Sequence, residues 1–279
     1  MDIFTEIKPL RALLGAKRSQ HLSIGLVPTM GALHAGHLEL IKASKSENDI
    51  TVCSIYVNPA QFNSQTDLEK YPRTLENDKQ MLVNSGCDLI FAPVNEEMYQ
   101  QKNQIHFDFG SLDKVMEGKF RPGHFSGVAL VVSKLFNIVQ PNRAYFGQKD
   151  FQQYKIISKT VDELLFDLTL SSVPIVREEY GLAMSSRNQR LKPEERKKAP
   201  IFYQLLVKAK QLLEKGQQFE SVKQVITQKC ESIQGIRLEY LELADQENLN
   251  ATKIVSDKTV LLIAGYVGEI RLIDNILMG

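Results

Sequence analysis

Short runs of consecutive apolar and β-branched residues alternate, along the first two thirds of the chain, with stretches in which apolar groups return every three or four positions. Ser23 to Pro28 reads as a buried strand running into a turn, and His37 to Ser46 as a helix following the small-residue break at Ala35-Gly36. Ile50 to Val57 is a second strand closed by Asn58-Pro59, Leu75 to Ser85 a helix, and Asp88 to Pro93 a third strand. Val128, Val131, Val132, Leu135, Phe136 and Val139 lie at helical spacing and predict a core helix. Ala144 to Gly147 is a short strand, about Phe151 to Leu165 a helix, and a further strand ends near Val176. Continuous apolar strands alternating with helices predict an α/β fold with a parallel sheet covered on both faces, its ligands beyond the carboxyl ends of the strands.

Beyond Arg190 the texture changes. Ile201, Phe202, Leu205, Leu206, Ala209, Leu212 and Leu213 mark an amphipathic helix, Phe219 to Ser232 reads as another, and strands follow at Arg237 to Leu243 and Thr259 to Tyr266. This predicts a Rossmann-like parallel-sheet domain over residues 1–176 and a smaller α+β domain over 177–279, the loop 178–190 belonging to the second.

Composition narrows the function. A 43% hydrophobic and 24% charged chain of 279 residues is ordinary globular material. Lys+Arg 34 against Asp+Glu 33 leaves a net charge of +1, which supplies no general footprint for nucleic acid or an anionic membrane. Phosphate must then be met locally. Cys53, Cys87 and Cys230 are odd in number and widely spaced, which argues against a disulfide framework or zinc site and fits a reducing cytoplasm. The first 18 residues lack a signal-peptide core, and no run approaches the roughly 18 apolar residues of a membrane span.

Four segments carry candidate chemistry. Pro28-Thr29-Met30-Gly31-Ala32-Leu33-His34-Ala35-Gly36-His37 sets an HxGH pattern between a predicted strand and helix. Its glycines permit close backbone approach to a nucleotide, the helix N-terminus favours anionic oxygens, and two imidazoles three residues apart can donate to charge building on an α-phosphate. Structural histidines are the alternative, which the strand-loop-helix setting disfavours. Gly181-Leu182-Ala183-Met184-Ser185-Ser186-Arg187-Asn188 offers two hydroxyls and a guanidinium fork for a triphosphate; read alone it is better taken as an exposed polar turn. Gly147-Gln148-Lys149-Asp150, with Gln152 and Gln153 following, brings a point charge and a helix start, Asp150 serving as N-cap in the structural reading. The fourth group comprises Asn58-Pro59-Ala60-Gln61-Phe62, Tyr71 to Thr74 and Phe120-Arg121-Pro122-Gly123-His124-Phe125. Within it and the preceding segment, Gln61 and Gln153 have the neutral donor and acceptor capacity to hold hydroxyls and a carboxylate.

From Gly25 to Asn188, with a weaker echo at Arg271-Leu272-Ile273-Asp274-Asn275, these motifs in this order resemble the pantothenate synthetase family within the HxGH nucleotidylyltransferase class. The resemblance implies condensation of pantoate with β-alanine through a pantoyl-adenylate, consuming ATP with Mg²⁺ and giving pantothenate, AMP and pyrophosphate. It implies an ATP site formed by Met30, Gly31, Ala32, Leu33, His34, Ala35, Gly36, His37, Gly147, Gln148, Lys149, Asp150, Val176, Met184, Ser185, Ser186 and Arg187. His34, His37, Lys149 and Arg187 would be catalytic, Gln61 and Gln153 would bind pantoate, and Gln61 would also meet β-alanine. It further implies a nucleotide- and pantoate-binding first domain, a lid-like second domain and a homodimer. Departures from the family pattern are Asn63 to Asp67 in place of a Gly and a Glu-Asp pair, Gln148 where Glu is frequent, and Asn77 where some relatives are acidic; no protein ligand for Mg²⁺ is assigned. The competing reading is a nucleotidylyltransferase acting on another small acid or a phosphorylated substrate.

Overall fold

The apolar runs of the first two thirds become five strands of a six-stranded, all-parallel sheet in the computed structural model, which describes residues 1–101 and 103–279. Contacts divide the chain into two units, Met1–Gln148 with Gln153–Pro174, and Lys149–Gln152 with Ile175–Gly279.

The first unit runs β1 (Asp2–Phe4), α1 (Ile7–Arg18), β2 (Ile24–Thr29), α2 (Ala35–Glu47), β3 (Ile50–Ile55), α3 (Gln65–Glu69), α4 (Leu75–Asn84), β4 (Leu89–Phe91), α5 (Asn95–Met98), α6 (Met116–Phe120), α7 (His124–Val139), β5 (Arg143–Gly147), α8 (Phe151–Glu163) and β6 (Thr169–Val173). Sheet order is β1-β4-β3-β2-β5-β6. Alternate strand residues serve opposite faces. Leu26, Val52, Phe91, Ala144 and Phe146 pack with Leu10 and Leu14 of α1 and with Val128, Val131, Val132 and Leu135 of α7. Val27, Cys53, Ile90 and Tyr145 pack with Leu40 and Ile41 of α2 and Leu82 of α4. Both faces are therefore covered, which is why these strands read as unbroken apolar runs.

The second unit contains α9 (Pro193–Lys198), α10 (Ile201–Glu214), α11 (Phe219–Glu231), β7 (Ile236–Asp245), β8 (Thr259–Val267) and β9 (Ile270–Leu277), the strands forming an antiparallel sheet in the order β7-β8-β9. Phe202, Leu205, Leu206, Ala209 and Leu213 of α10 and Val222 and Ile226 of α11 close one core with Leu241, Leu243, Leu261 and Ile263. Pro193 occupies the first helical position of α9, where its missing N–H costs nothing.

The structure adds to and trims the sequence reading. Neither β1 nor α1 is announced by the mixed pattern of the first 18 residues; β1 is a short, largely exposed edge strand without the apolar run that marks the others. β9 is likewise unannounced, because Asp274 and Asn275 interrupt its apolar run although both are buried. β3 ends at Ile55 rather than Val57, β6 at Val173 rather than near Val176, and α2 begins at Ala35, inside the expected break.

Candidate active site

The strand order reverses between β2 and its neighbour β5: β2 leads through α2 to β3 on one side, and β5 through α8 to β6 on the other. A crevice outside the carboxyl ends of two such strands is where open α/β sheets bind ligands. The segment Met30–His37 leaves β2 at that point, and Gly147 and Gln148 leave β5 there.

Local geometry explains why the first loop has this sequence. Thr29 Oγ1 donates to Ser54 O at 2.7 Å and accepts from Gly31 N–H at 3.2 Å, turning the chain off the sheet. Gly31 and Ala32 both take left-handed backbone, φ 77° and 49°. A Cβ on Gly31 would come within 3.0 Å of Asp78 Oδ2 and 3.1 Å of Ile55 Cγ2, so that position suits glycine on two counts. The next two amides do not reach outward. Ala32 N–H donates to Asp78 Oδ2 at 3.0 Å and Leu33 N–H to Asp78 Oδ1 at 2.8 Å, while Thr74 Oγ1 donates to the same carboxylate at 3.1 Å. Asp78, on α4, is fully buried. The free approach of loop amides to a nucleotide, expected from the sequence, therefore excludes these two.

His34 is the extended N-cap residue of α2, and its N–H donates to His37 Nδ1 at 3.3 Å. The imidazole centroids are 4.1 Å apart with planes 38° apart, and both side chains are half-buried. The first-turn amides of Ala35 and Gly36 have no acceptor within the helix and carry the positive end of its dipole. Two imidazoles and a helix N-terminus thus converge on one spot suited to anionic oxygen.

Gln61 joins this loop. It is buried in a single-turn 3₁₀ helix, Pro59–Gln61, and its Nε2 donates to Met30 Sδ at 3.0 Å. Asn58 Nδ2 donates to Gln61 Oε1 at 3.1 Å and to Gly127 O at 3.1 Å, and Tyr99 O–H donates to Asn58 Oδ1 at 2.7 Å. Gly127 is needed here: a Cβ would stand 2.3 Å from Ala60 O. The His124 ring lies between Arg121 Nη1, 3.0 Å from Nε2, and Gln61 O, 2.8 Å from Nδ1. A guanidinium only donates, so Nε2 accepts and the neutral ring donates from Nδ1–H to Gln61 O. Arg121 and His124 therefore hold the turn that carries Gln61. Gln153 lies half-buried in the first turn of α8.

In the second unit, Lys149 and Asp150 occupy the 3₁₀ turn that leads into α8, their charged atoms 3.5 Å apart; Asp150 belongs to that turn itself. Val176 O accepts from Met184 N–H at 3.0 Å, and Ser185 Oγ accepts from Arg187 N–H at 3.3 Å, so the Met184–Arg187 loop is folded back on the segment that starts at Val176. Asn188, buried, donates to Glu178 Oε1 at 2.7 Å and Ala183 O at 3.1 Å. Met184, Ser185, Ser186 and Arg187 are all half-buried. Among the described residues, no group of three or more His, Cys, Asp or Glu side chains could hold a metal ion, and no helix is long and apolar enough to cross a membrane.

Asp78 is a buried polar residue that motif reading passes over, while Asn58 and Asn188, also buried, stand inside motifs without a role of their own assigned to them. A carboxylate at Asp78 on the same stripe as Leu82 is the signal for the first, since a buried acid on a helix's apolar face needs donors from elsewhere.

A doubly wound parallel sheet with a paired-histidine turn at its switch point defines a nucleotide-binding α/β protein. Residues 2–277 match the model of the pantoate-β-alanine ligase family, and the chain belongs to that family. It is 49% identical to a pantothenate synthetase of Bacteroides thetaiotaomicron over 99% of this chain and 98% of the relative, and 47% identical to one of Aquifex aeolicus over 98% and 97%. Among solved structures, a Thermus thermophilus pantothenate synthetase superposes with TM-score 0.94 at 40% identity, covering 100% of this chain and 99% of that one. A Francisella tularensis pantoate-β-alanine ligase, complexed with β-γ ATP and β-alanine, superposes with TM-score 0.81 at 34% identity, covering 100% and 98%.

Proposed function

We propose that this chain condenses pantoate with β-alanine at the expense of ATP, through a pantoyl-adenylate. The observation that carries the reading is the His34–His37 pair at the N-terminus of α2, at the switch point of the sheet, in a chain of this family.

A carboxylate is a poor electrophile toward an amine. In the first step a pantoate carboxylate oxygen attacks the α-phosphorus of ATP, forming the acyl–O–P bond as the bond to pyrophosphate breaks. Such displacement asks the protein for position and charge stabilisation. His34 and His37, the Ala35 and Gly36 amides, Lys149 and Arg187 fill that role, with Met30 to Leu33, Gly147, Gln148, Asp150, Val176 and Met184 to Ser186 completing the nucleotide site. Mg²⁺ enters as part of the Mg-ATP substrate. In the second step the β-alanine amine attacks the acyl carbon, AMP leaves, and the ammonium proton is lost as the amide forms. Gln61 and Gln153 hold pantoate, and Gln61 also lies beside the incoming amine; neutral amides read hydroxyls and a carboxylate without exchanging protons. A cytoplasmic homodimer, with residues 177–279 serving as the lid, belongs to the same proposal.

Exchange of labelled pyrophosphate into ATP tests it. Pantoate and Mg-ATP alone support exchange, and β-alanine is needed only for AMP release. Exchange that requires β-alanine, or that proceeds equally with unrelated carboxylic acids, refutes the reading in favour of a general nucleotidylyltransferase.

A further inference from the structure

The Arg271–Asn275 segment is a sequence motif that the reaction scheme leaves without a task. It lies in β9, an edge strand of the antiparallel sheet, and its two polar residues are almost fully buried, Asp274 at 5% and Asn275 at 1% exposure. Buried polar groups in mid-strand are costly unless partnered, so their partners indicate what they are for.

Asp274 grips Arg177 with both oxygens. Arg177 Nη1 donates to Asp274 Oδ2 at 2.6 Å and Nη2 to Oδ1 at 2.9 Å, the paired geometry that restricts a guanidinium most. The same guanidinium lies 3.8 Å above the Tyr203 ring and donates from Nη1 to Gly181 O at 2.9 Å. Gly181 fits only as glycine: its φ is +96°, and a Cβ would stand 2.2 Å from Tyr203 Cδ1. Arg177 and Ala183 form an antiparallel bridge, so the grip on Arg177 fixes both ends of the turn that delivers Met184, Ser185, Ser186 and Arg187.

Asn275, the next residue, points from the opposite face of the strand. Its Nδ2 donates to the backbone carbonyl of Lys149 at 2.9 Å, and its own N–H is held by Asp274 Oδ1 at 2.8 Å. Lys149 and Asn275 are 126 positions apart in sequence. Two successive residues of one strand thus hold the backbone under the lysine and the turn before the Ser-Ser-Arg loop.

We infer that Asp274 and Asn275 are positioning residues for ATP, Asp274 acting through Arg177 on the Ser185–Arg187 loop and Asn275 through the backbone of Lys149. The inference rests on the reading that Lys149 and Arg187 meet the nucleotide phosphates. Neither positioning residue touches substrate; each limits the freedom of a cation that must be in place before the pyrophosphate leaves, and small misplacements of such groups are expensive.

Double-mutant cycles provide the test, read by pantoate-dependent pyrophosphate exchange and steady-state kinetics on the full chain, with circular dichroism melts to establish folding. Asn275→Ala lowers kcat/KM for ATP at least tenfold while KM for pantoate stays within twofold, and on a Lys149→Ala background it causes no further loss of kcat/KM for ATP. Asp274→Asn, which keeps the side-chain size and so guards against an unfolded Asn275→Ala, behaves in the same way against Arg187→Ala. Full additivity on either cation-lacking background, or equal losses for ATP and pantoate, overturns the inference. If wild-type protein fails to exchange pyrophosphate, the underlying functional reading fails instead. If exchange is normal in wild type and unchanged in both strand variants, only the positioning role fails.

Discussion

Replacing Asp78 tests whether the paired-histidine turn is held from below. Its carboxylate accepts from Ala32 N–H, Leu33 N–H and Thr74 O–H, and no solvent reaches it. Asp78→Ala leaves two buried amides without an acceptor; at about 1–3 kcal/mol each, that is a loss of about 2–6 kcal/mol. Asp78→Asn is milder, because its one carbonyl serves one amide while its NH₂ meets the other, at a cost of about 1–3 kcal/mol. A 2 kcal/mol loss lowers Tm by about 4–8 °C in a domain of this size. Activity falls further than stability accounts for. Ala32 keeps its left-handed φ of 49° against a strain of about 1–2 kcal/mol, and that strain relaxes once Asp78 lets go. His34 and His37 follow two and five residues later, and a shift of about 1 Å at reacting groups costs about 10²-fold in rate. The assay is pyrophosphate exchange with Asp78→Asn well below its Tm, alongside a melt and a far-ultraviolet spectrum. Native kcat together with native Tm would show that the turn holds itself, and the reasoning would be wrong.

Two further outcomes follow from the same geometry. Replacing His34 or His37 by Ala lowers kcat for adenylation by about 10²–10³, the effect of losing one donor to a developing oxyanion, with a smaller change in KM for ATP; unchanged kcat with raised KM in single-turnover and steady-state measurements would make them ground-state ligands instead. Burial pushes the Cys87 and Cys230 thiols up to about 11 and holds Cys53 well above the usual thiol range, and it lifts the Tyr99 and Tyr145 phenols to about 12. At pH 8 a thiol titrating near 11 is thiolate about one part in a thousand, so a disulfide reagent leaves the native protein unlabelled for minutes and modifies three thiols after denaturation. Because these groups keep protons in the folded chain that the unfolded chain releases, their contribution is intact below about pH 9 and stability falls as pH rises toward 12; urea midpoints that stay level across that range contradict the burial assignment.

Most of the parallel sheet is legible in the sequence because its central strands are covered on both faces and need no alternation to be found. Leu26 and Val27, or Val52 and Cys53, serve opposite cores yet are equally apolar. What escapes is whatever departs from that rule. β1 at the sheet edge is too short and exposed to leave a run, and β9 carries two polar residues in its middle. The histidine turn is legible for a related reason: glycine, small residues and two imidazoles between a strand and a helix form a local pattern that depends on nothing distant.

Support for the site is illegible because it is non-local. Asp78 reaches Ala32 and Leu33 across 46 and 45 positions, and His124 reaches Gln61 across 63. No spacing rule within one element exposes such pairs. The residues expected to touch ligand stand out by their chemistry and by the family resemblance together, since a guanidinium or an imidazole alone serves structure as readily, as Arg177 and His124 do. Several of the residues that hold them, Asp78 and Asn275 among them, are aspartates and asparagines whose partners include backbone amides and carbonyls, groups every residue possesses. A polar side chain on an otherwise apolar face, as with Asp78 beside Leu82 or Asp274 after Leu272, is the only local trace they leave. That trace means either solvent exposure or a buried structural task, and only the fold separates the two: burial removes the first option, and the cost of an unpartnered buried carboxylate then requires donors such as the histidine turn or Arg177.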